Sequence, residues 1–226
     1  WREREYFEYA GAGGGFKDSL GYLFCRGRIF NDLEKDEGQY DDDIEVFWAS
    51  GGCFMVRAEL YHKMGGLDPD LYAHMEEVDL CWRLKNAGYR IGYIGSSTVY
   101  HVGGSVISYG SPQKLYYNFR NSLILLLKNE RGSKLLWLFP LRLVLDGIAG
   151  LQMLLSGKFK LTATIVKAHF HFYGSLGKWL QRRRDNKKLI SKPTNGGMYK
   201  GSIIWAYFIQ KKKTFPKLNW QPKKLG

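Results

Sequence analysis

Residues 74–83 read HMEEVDLCWR, a run in which three carboxylates fall within four positions ahead of an apolar pattern. The spacing of the apolar residues predicts an α-helix that continues to about Asn86 and ends at Gly88, since glycine commonly follows the last turn of a helix. On this helix Asp79 and Arg83 lie one turn apart and can pair. The run therefore combines a helix start with an unusual density of negative charge.

The carboxylate cluster has two interpretations. Acidic residues in the first turn of a helix complement the helix dipole, and most clusters of this kind do no more than that. Crowding, however, raises the proton affinity of at least one carboxylate, whereas the helix N-terminus favours the charged form. A carboxylate balanced in this way is a good general base, so Glu76 and Glu77 are candidate catalytic residues.

Four other segments accompany the cluster in a fixed order. They are WASGGCFMVR at 48–57, GGLDPDL at 65–71, HVGGS at 101–105 and YYNFRN at 116–121. With the Glu-Glu-x-Asp-Leu-x-x-Arg run between them, they resemble the family 2 inverting glycosyltransferases, in particular the rhamnosyltransferase-like branch. The resemblance covers roughly residues 40–130.

The resemblance implies both a fold and a reaction. The fold is α/β, part of the GT-A fold of nucleotide-sugar transferases. The reaction is transfer of a hexosyl or rhamnosyl group from a nucleotide-sugar donor to a glycan acceptor, with inversion at the anomeric carbon. The usual acceptor of the resembling enzymes is carried on a polyprenyl diphosphate, and the usual process is bacterial cell-surface polysaccharide synthesis.

An inverting transferase needs a base that takes the proton from the acceptor hydroxyl as its oxygen attacks the anomeric carbon. The Glu-Asp dyad of the resembling family falls on Glu76 and Glu77, with a glutamate at the position where the family usually has aspartate. The resemblance therefore makes Glu77 the general base. Asp79 and Arg83 would then hold the helix and the loop in front of it.

The resemblance also assigns acceptor and metal contacts. Trp48 and the strand end formed by Ser50, Gly51 and Gly52 are expected to line the acceptor side. His101 is expected beside a divalent cation, Mg or Mn, and the donor diphosphate, because imidazole is a good ligand for such cations. A histidine at the end of a strand is, however, often only a hydrogen-bonded terminus.

Arg120 and Asn121 are predicted to lie on the helix that follows. The planar guanidinium of arginine suits phosphate oxygens, so Arg120 is a candidate ligand of the donor diphosphate, with Asn121 beside it on the substrate side. An ordinary arginine on a helix surface is an equal alternative.

Residues 41–43, DDD, match the Asp-x-Asp signature with which such enzymes hold a metal on the donor diphosphate. In the resembling family the motif follows an apolar strand, whereas here residues 34–40, EKDEGQY, are polar, so we do not assign this role to them. The chain also opens in mid-pattern at Trp1. The nucleotide-binding half and the main metal ligands are therefore expected before Trp1.

The remaining patterns predict an α/β domain with a mainly parallel sheet. Residues 46–57 have the pattern of a buried strand, and residues 89–94 and 97–102 those of short strands. The glycine-rich residues 10–28 predict a surface loop, because no Gly-Lys-Ser/Thr follows that would mark a phosphate-binding loop. The three cysteines lack CxxC spacing, so they indicate neither a zinc site nor a disulfide framework and fit a reducing cytoplasm.

Charge divides the 226-residue chain into two unlike halves. Residues 1–110 hold 11 basic and 18 acidic side chains, whereas residues 111–226 hold 23 basic and 3 acidic ones. We therefore predict the catalytic half of a transferase domain at residues 1–130 and a basic amphipathic helical extension at residues 131–226.

The basic extension has the pattern of a membrane-associated region. Residues 135–156 are strongly apolar but are interrupted by Pro140, Arg142 and Asp146, which favours a helix at the interface over one that spans the bilayer. Residues 158–184 add an amphipathic pattern with a basic face, which predicts attachment to an anionic membrane surface on the cytoplasmic side. Alternatives are a helical pair packed on the protein, a homodimer interface, a lipid-binding module or a nucleic-acid-binding module. The absence of a nucleic-acid motif argues against nucleic-acid binding.

Overall fold

The computed structural model describes residues 5–7, 12–99 and 110–226. Two compact units interleave along the chain. Unit 1 comprises Trp1–Gly66, Leu80–Gly103 and Ser191–Gly226, and unit 2 comprises Leu67–Asp79 and Gly104–Ile190. The boundary predicted at residue 130 lies inside unit 2.

Unit 1 contains a four-stranded antiparallel sheet in the order β1 (Gly15–Lys17), β2 (Leu23–Cys25), β3 (Arg28–Ile29) and β4 (Asp32–Leu33). The surface loop predicted for residues 10–28 is therefore wrong over its described part. Its glycines serve the turns and the packing instead. Gly21 and Gly27, between strands, have φ of 85° and 80°, which other residues rarely adopt. A Cβ at Gly15 would lie 2.4 Å from the ring of Trp48.

A second sheet pairs β5 (Ile44–Val46) with β6 (Ile91–Tyr93), again antiparallel. Every strand pair in the described sheets is antiparallel, so the predicted mainly parallel sheet is wrong. Short turns join the first four strands, and a tight turn can connect only antiparallel neighbours. The strand predicted at residues 46–57 is also wrong beyond Val46, because a turn at Gly51 and Gly52 ends the extended run and leaves Met55 99% exposed.

The core of unit 1 joins the first strands to the C-terminal segment. Its buried side chains include Phe16, Ile44, Ile203, Ala206, Phe215 and Leu218. In residues 191–226, all of them described, the helical elements are a π-helical turn, Trp205–Ile209, and a 3₁₀ turn, Pro216–Leu218. The helical extension predicted for residues 131–226 thus ends at Lys188, because the apolar side chains beyond it are needed to cover the sheet.

Two helices occupy the middle of the chain. The helix α1 (Ala58–Lys63) is followed by a turn at Gly65 and Gly66, which have φ of 79° and 67°. The helix α2 (Glu76–Asn86) confirms the predicted carboxylate helix, and Gly88 follows it with φ of 98°. The boundary between the units falls within α2, after Asp79. Of the strand predicted at residues 97–102, residues 97–99 have no regular structure and the rest lie outside the described residues.

Unit 2 is mainly helical, with α3 (Pro112–Asn129), α4 (Lys134–Leu155), α5 (Phe159–Gly174) and α6 (Leu176–Lys188). Ser111 caps α3, since its hydroxyl accepts a hydrogen bond from the Lys114 amide at 3.2 Å. Residues 123–129 of α3 are all buried, because α4, α5 and α6 pack around this helix. The polar side chains of α3 must therefore find partners within unit 2.

Among the described residues, α4 is the one helix that is long and apolar enough, by length and composition alone, to cross a membrane. Its internal charges, Arg142 and Asp146, are buried and pair at 3.0 Å, and Arg142 also donates to the Ser122 hydroxyl of α3 at 2.9 Å. Large apolar side chains of α4 and α5 are exposed instead: Leu136, Trp137, Val144, Ile148, Leu151, Leu155, Phe159, Val166 and Phe170.

Candidate active site

Residues 67–75, here named the carboxylate loop, lead into α2 with an unusual backbone. After a 3₁₀ turn at Pro69–Leu71, the φ angles of Tyr72, His74 and Met75 are 61°, 76° and 75°. Residues other than glycine rarely adopt such angles, and backbone strain of this kind clusters at functional sites. The loop ends directly at Glu76.

Asn121 of α3 holds the carboxylate loop in this conformation. Its side-chain amide is fully buried and donates to the main-chain carbonyls of Leu71 (3.1 Å), Ala73 (3.3 Å) and His74 (2.7 Å). The carbonyl of Leu71 immediately precedes the strained residues and those of Ala73 and His74 lie among them, so the hydrogen bonds offset part of the cost of the strain. Asn121 is thus a positioning residue for the loop.

Arg120 of α3 binds the same loop. Its Nη2 donates to the carbonyl oxygens of Asp70 (2.8 Å) and Leu71 (3.3 Å), its Nη1 to the Tyr116 hydroxyl (3.3 Å) and its Nε to Oδ1 of Asn121 (2.9 Å). These contacts engage at most four of the five N–H groups of a guanidinium. Direct contact of Arg120 or Asn121 with a substrate stays a prediction.

A buried ion cluster fixes the carboxylate loop on both sides. The ammonium of Lys128 lies 2.5 Å from Oδ2 of Asp68 and 3.0 Å from Oδ1 of Asp79, and Asn129 donates to Asp79 at 2.8 Å. All four residues are at most 8% exposed. Burial raises the pKa of Asp68, but the Lys128 ammonium, the hydrogen bond from the Asp70 amide and the charge of Arg182 together lower it by more, so that this pKa lies below its ordinary value.

Sequence reasoning missed the partners that α3 supplies to the loop. Lys128 and Asn129 follow five apolar residues, LILLL at 123–127, and a lysine at the end of so apolar a run is a signal, because a buried charge requires a partner. His74 was missed as well. Its Nε2 is hydrogen-bonded to Oδ1 of Asn118, and burial lowers the pKa of His74, which keeps the imidazole neutral near pH 7.

The two candidate bases lie half-buried in the first turn of α2. Oε2 of Glu76 is buried and has no hydrogen-bond partner among the described residues. Unsatisfied buried polar atoms are rare in folded proteins and often mark functional sites. The Met75 carbonyl accepts the Asp79 amide at 3.0 Å, so the helical hydrogen bonds begin within the strained segment.

Other predicted site residues lie in unit 1. Trp48 is buried and its indole Nε1 donates to the Phe16 carbonyl at 3.1 Å, which makes it part of the core. Gly51 and Gly52 are exposed in a turn closed by Ser50, whose hydroxyl accepts from the Gly52 amide at 3.2 Å. The acceptor contacts expected of these residues stay predictions.

Arg83 holds the glycine turn that precedes the carboxylate loop. It is 5% exposed and donates to the carbonyls of Met64 and Gly66, the latter at 2.7 Å. The roles predicted for Arg83, contact with the substrate and pairing with Asp79, stay predictions.

The metal site expected from the sequence stays a prediction. His101 lies outside the described residues. Within residues 5–7, 12–99 and 110–226, no group of three His, Cys, Asp or Glu side chains is arranged to hold a metal ion. Asp42 pairs with Arg26 at 2.7 Å and Asp43 accepts from the Gly95 amide at 3.0 Å. The described residues alone do not fit Mg or Mn, so we derive no reaction step through a metal ion.

Comparison with known proteins supports a specific class of enzyme. The chain is 32% identical over 107 residues to an N-acetylglucosaminyl-diphospho-decaprenol L-rhamnosyltransferase of Mycobacterium tuberculosis, a match over 47% of this chain and 34% of the relative. It is 32% identical over 65 residues to the rhamnosyltransferase WbbL of Escherichia coli K12, a match over 29% of this chain and 24% of that protein. The chain is similar to rhamnosyltransferases.

These matches support the relationship to glycosyltransferases that the sequence motifs predict. The chain spans about a third of the length of the mycobacterial relative. No family model matches the chain, and no solved structure matches it.

Replacing Asn121 by Ala in the intact rhamnosyltransferase-like protein is expected to lower kcat about tenfold or more with a smaller change in KM. The carbonyls of Leu71, Ala73 and His74 would lose their hydrogen-bond donor. Leaving a buried acceptor unpaired costs up to about 3 kcal/mol, which is enough to release the loop. Steady-state kinetics checks this. Gln181→Ala is the matched control, because it removes amide hydrogen bonds to Asp185 (3.3 Å) that lie within α6 and do not involve the loop. An equal loss of kcat in both variants would contradict a positioning role.

Proposed function

We propose that this chain belongs to an enzyme that transfers a sugar, rhamnosyl or hexosyl, from a nucleotide-sugar donor to a polyprenyl-diphosphate-linked acceptor in cell-surface polysaccharide synthesis. The observation that carries the proposal is the adjacent pair Glu76 and Glu77 at the start of α2, behind a strained loop that Asn121 holds. The name of the mycobacterial relative supports the acceptor class.

Glu77 is the proposed general base, and the transfer inverts the anomeric centre. The acceptor hydroxyl oxygen attacks the anomeric carbon while its proton passes to the Glu77 carboxylate. The bond between the anomeric carbon and the diphosphate breaks, and its electron pair leaves with the nucleoside diphosphate. Because glutamate is one methylene longer than the aspartate usual in the resembling family, the acceptor hydroxyl binds correspondingly farther from the backbone of α2.

The reaction can be tested on the intact protein. Nucleotide-activated rhamnose and hexoses would be supplied with N-acetylglucosaminyl-diphospho-polyprenol, and NMR would give the anomeric configuration of donor and product. Transfer with inversion is expected. Retention would contradict the base mechanism, and failure of every donor to react would contradict the proposed function.

We further propose that α4 and α5 attach the protein to the cytoplasmic face of the membrane. Leu155 and Phe159, at the turn between these helices, are 80% and 68% exposed, and Lys158 and Lys160 beside them are exposed as well. Apolar side chains inserted below headgroups, with lysines above them, are the pattern of an interfacial helix pair. Each basic residue near an anionic leaflet adds about 1 kcal/mol of attraction.

The protein is expected to float with anionic liposomes at low salt, and to do so less at high salt, because charge attraction is screened within about 8 Å at physiological ionic strength. Part of the attachment should survive high salt through apolar contacts. Leu155→Glu with Phe159→Glu should strongly weaken flotation, whereas Met55→Glu, at an even more exposed apolar residue of unit 1, should leave it unchanged. A wild-type protein that stays at the bottom of the gradient with anionic liposomes at low salt would show that these helices do not bind membrane.

A further inference from the structure

Two cavities of unit 2 share the side chain of Phe170. The larger, about 520 Å³, is a groove between α4 and α5, here named the α4–α5 groove. The smaller, about 340 Å³, lies among α3, α5 and α6 and is here named the polar cavity. Phe170 is 71% exposed and lines both, so the groove and the polar cavity adjoin at this side chain.

The α4–α5 groove is apolar and exposed. Leu151 and Val166 in its lining are 54% and 49% exposed, and Gly150, also in the lining, accepts a hydrogen bond through its carbonyl from the Thr162 hydroxyl of α5 at 3.2 Å. The charge of Asp146, also in its lining, is balanced by Arg142. A channel of this kind is costly to leave in water, and its chemistry fits a hydrocarbon chain.

The polar cavity has the chemistry of an anion site. The guanidinium of Arg120 and the imidazole of His171 line it, and Nδ1 of His171 is hydrogen-bonded to the Tyr116 hydroxyl at 2.7 Å. Arg120 retains at least one N–H group that its protein contacts do not use, and a guanidinium suits phosphate oxygens. Through the Asp70 carbonyl, Arg120 also contacts the carboxylate loop.

We propose that the α4–α5 groove binds the isoprenoid chain of the lipid-linked acceptor and that the polar cavity binds its diphosphate at Arg120. This inference rests on the proposed function and names where its acceptor binds. The order of groove, Arg120 and carboxylate loop in unit 2 matches the order of chain, diphosphate and sugar in such an acceptor. Arg120 is thereby assigned to the acceptor diphosphate rather than to the donor diphosphate expected from the sequence.

Gly147 gives a clean way to fill the groove. It lies in the groove lining within α4, and a Cβ added there would meet no atom within 4 Å. The Cβ of a leucine at this position would therefore displace no neighbour. Leucine also favours a helix over glycine by up to about 1 kcal/mol, so the variant is expected to fold at least as well as the wild type.

The test is equilibrium binding of a long-chain polyprenyl diphosphate to the intact protein in detergent. Gly147→Leu should weaken this binding about tenfold or more, because the leucine takes the volume of part of the chain. The matched control is Gly177→Leu on α6. A Cβ at Gly177 also meets no atom within 4 Å, and Gly177 lines neither cavity. Gly177→Leu should leave binding unchanged, and neither variant should alter the binding of inorganic diphosphate.

The outcomes separate this inference from the function on which it rests. Unchanged lipid binding in Gly147→Leu, or an equal loss in Gly177→Leu, would overturn the groove while sugar transfer by the wild type still stood. Groove-dependent lipid binding without transfer from any nucleotide-sugar would support the groove and overturn the proposed function. If Gly147→Leu instead changes only liposome flotation or the oligomeric state, the groove faces bulk lipid or a second copy, and the inference is wrong.

Discussion

Replacing Glu77 by Gln is expected to lower the turnover of the intact enzyme about 100-fold or more while the fold is kept. Glutamine preserves the size and the hydrogen-bonding capacity of the side chain but cannot accept a proton at neutral pH. Without a base, the acceptor hydroxyl must attack while still protonated. Turnover measured at saturating donor and acceptor, together with circular dichroism, would test this expectation.

Two variants make the result specific to Glu77. Glu59→Gln changes an acidic residue in the first turn of α1, the same structural context on a helix without a proposed role, and should leave turnover within about twofold of the wild type. Glu76→Gln distinguishes the two carboxylates of the pair. If Glu77→Gln stays within a few-fold of the wild type while Glu76→Gln is inactive, the base is Glu76.

Replacing Lys128 by Met is expected to lower the free energy of unfolding by about 3–5 kcal/mol, because two buried carboxylates, Asp68 and Asp79, lose the ammonium between them. Methionine fills a similar volume, so the loss is mainly electrostatic. Urea unfolding at neutral pH would measure it. Lys188→Met is the matched control, because the ion pair of Lys188 with Asp185 is exposed and its loss should change stability little.

The effect of Lys128→Met should depend on pH in a defined direction. In the wild type the pKa of Asp68 is lowered below 3.8, so its contribution to stability is complete above about pH 3.8 and is lost as the pH falls through the lower folded pKa. In Lys128→Met the pKa of Asp68 should rise, because burial, the largest influence on it, would be opposed only by the Asp70 amide and Arg182. The variant would then gain protons on acidification, and its deficit relative to the wild type should shrink toward pH 4. A deficit that grows on acidification would contradict this account.

Local structure could be predicted from the sequence where one short segment contains all the residues that determine it. The carboxylate helix and its end at Gly88 follow from helical spacing and from the conformations that glycine permits. The motif order also predicted the relationship to glycosyltransferases that the comparisons support. Glu76 and Glu77 were found as candidates because crowded carboxylates are visible in the sequence itself.

Contacts between residues distant along the chain could not be predicted, because one sequence does not show which buried groups pack together. The residues at 10–28 look like a loop, yet they form strands because the C-terminal segment, with Phe215 and Leu218, covers them. The antiparallel order of the strands depends on which edges pair, and nothing in one strand specifies that choice.

The same division applies to the candidate site. By itself the sequence determined that two carboxylates start a helix, that Arg120 and Asn121 share a later helix, and that the second half of the chain is basic. Only the tertiary structure decided that Asn121 holds the loop before those carboxylates, with Lys128 between the aspartates on either side. The physical reason is that burial makes an unpaired polar group costly, and the group that satisfies it is chosen by packing in three dimensions and not by distance along the chain.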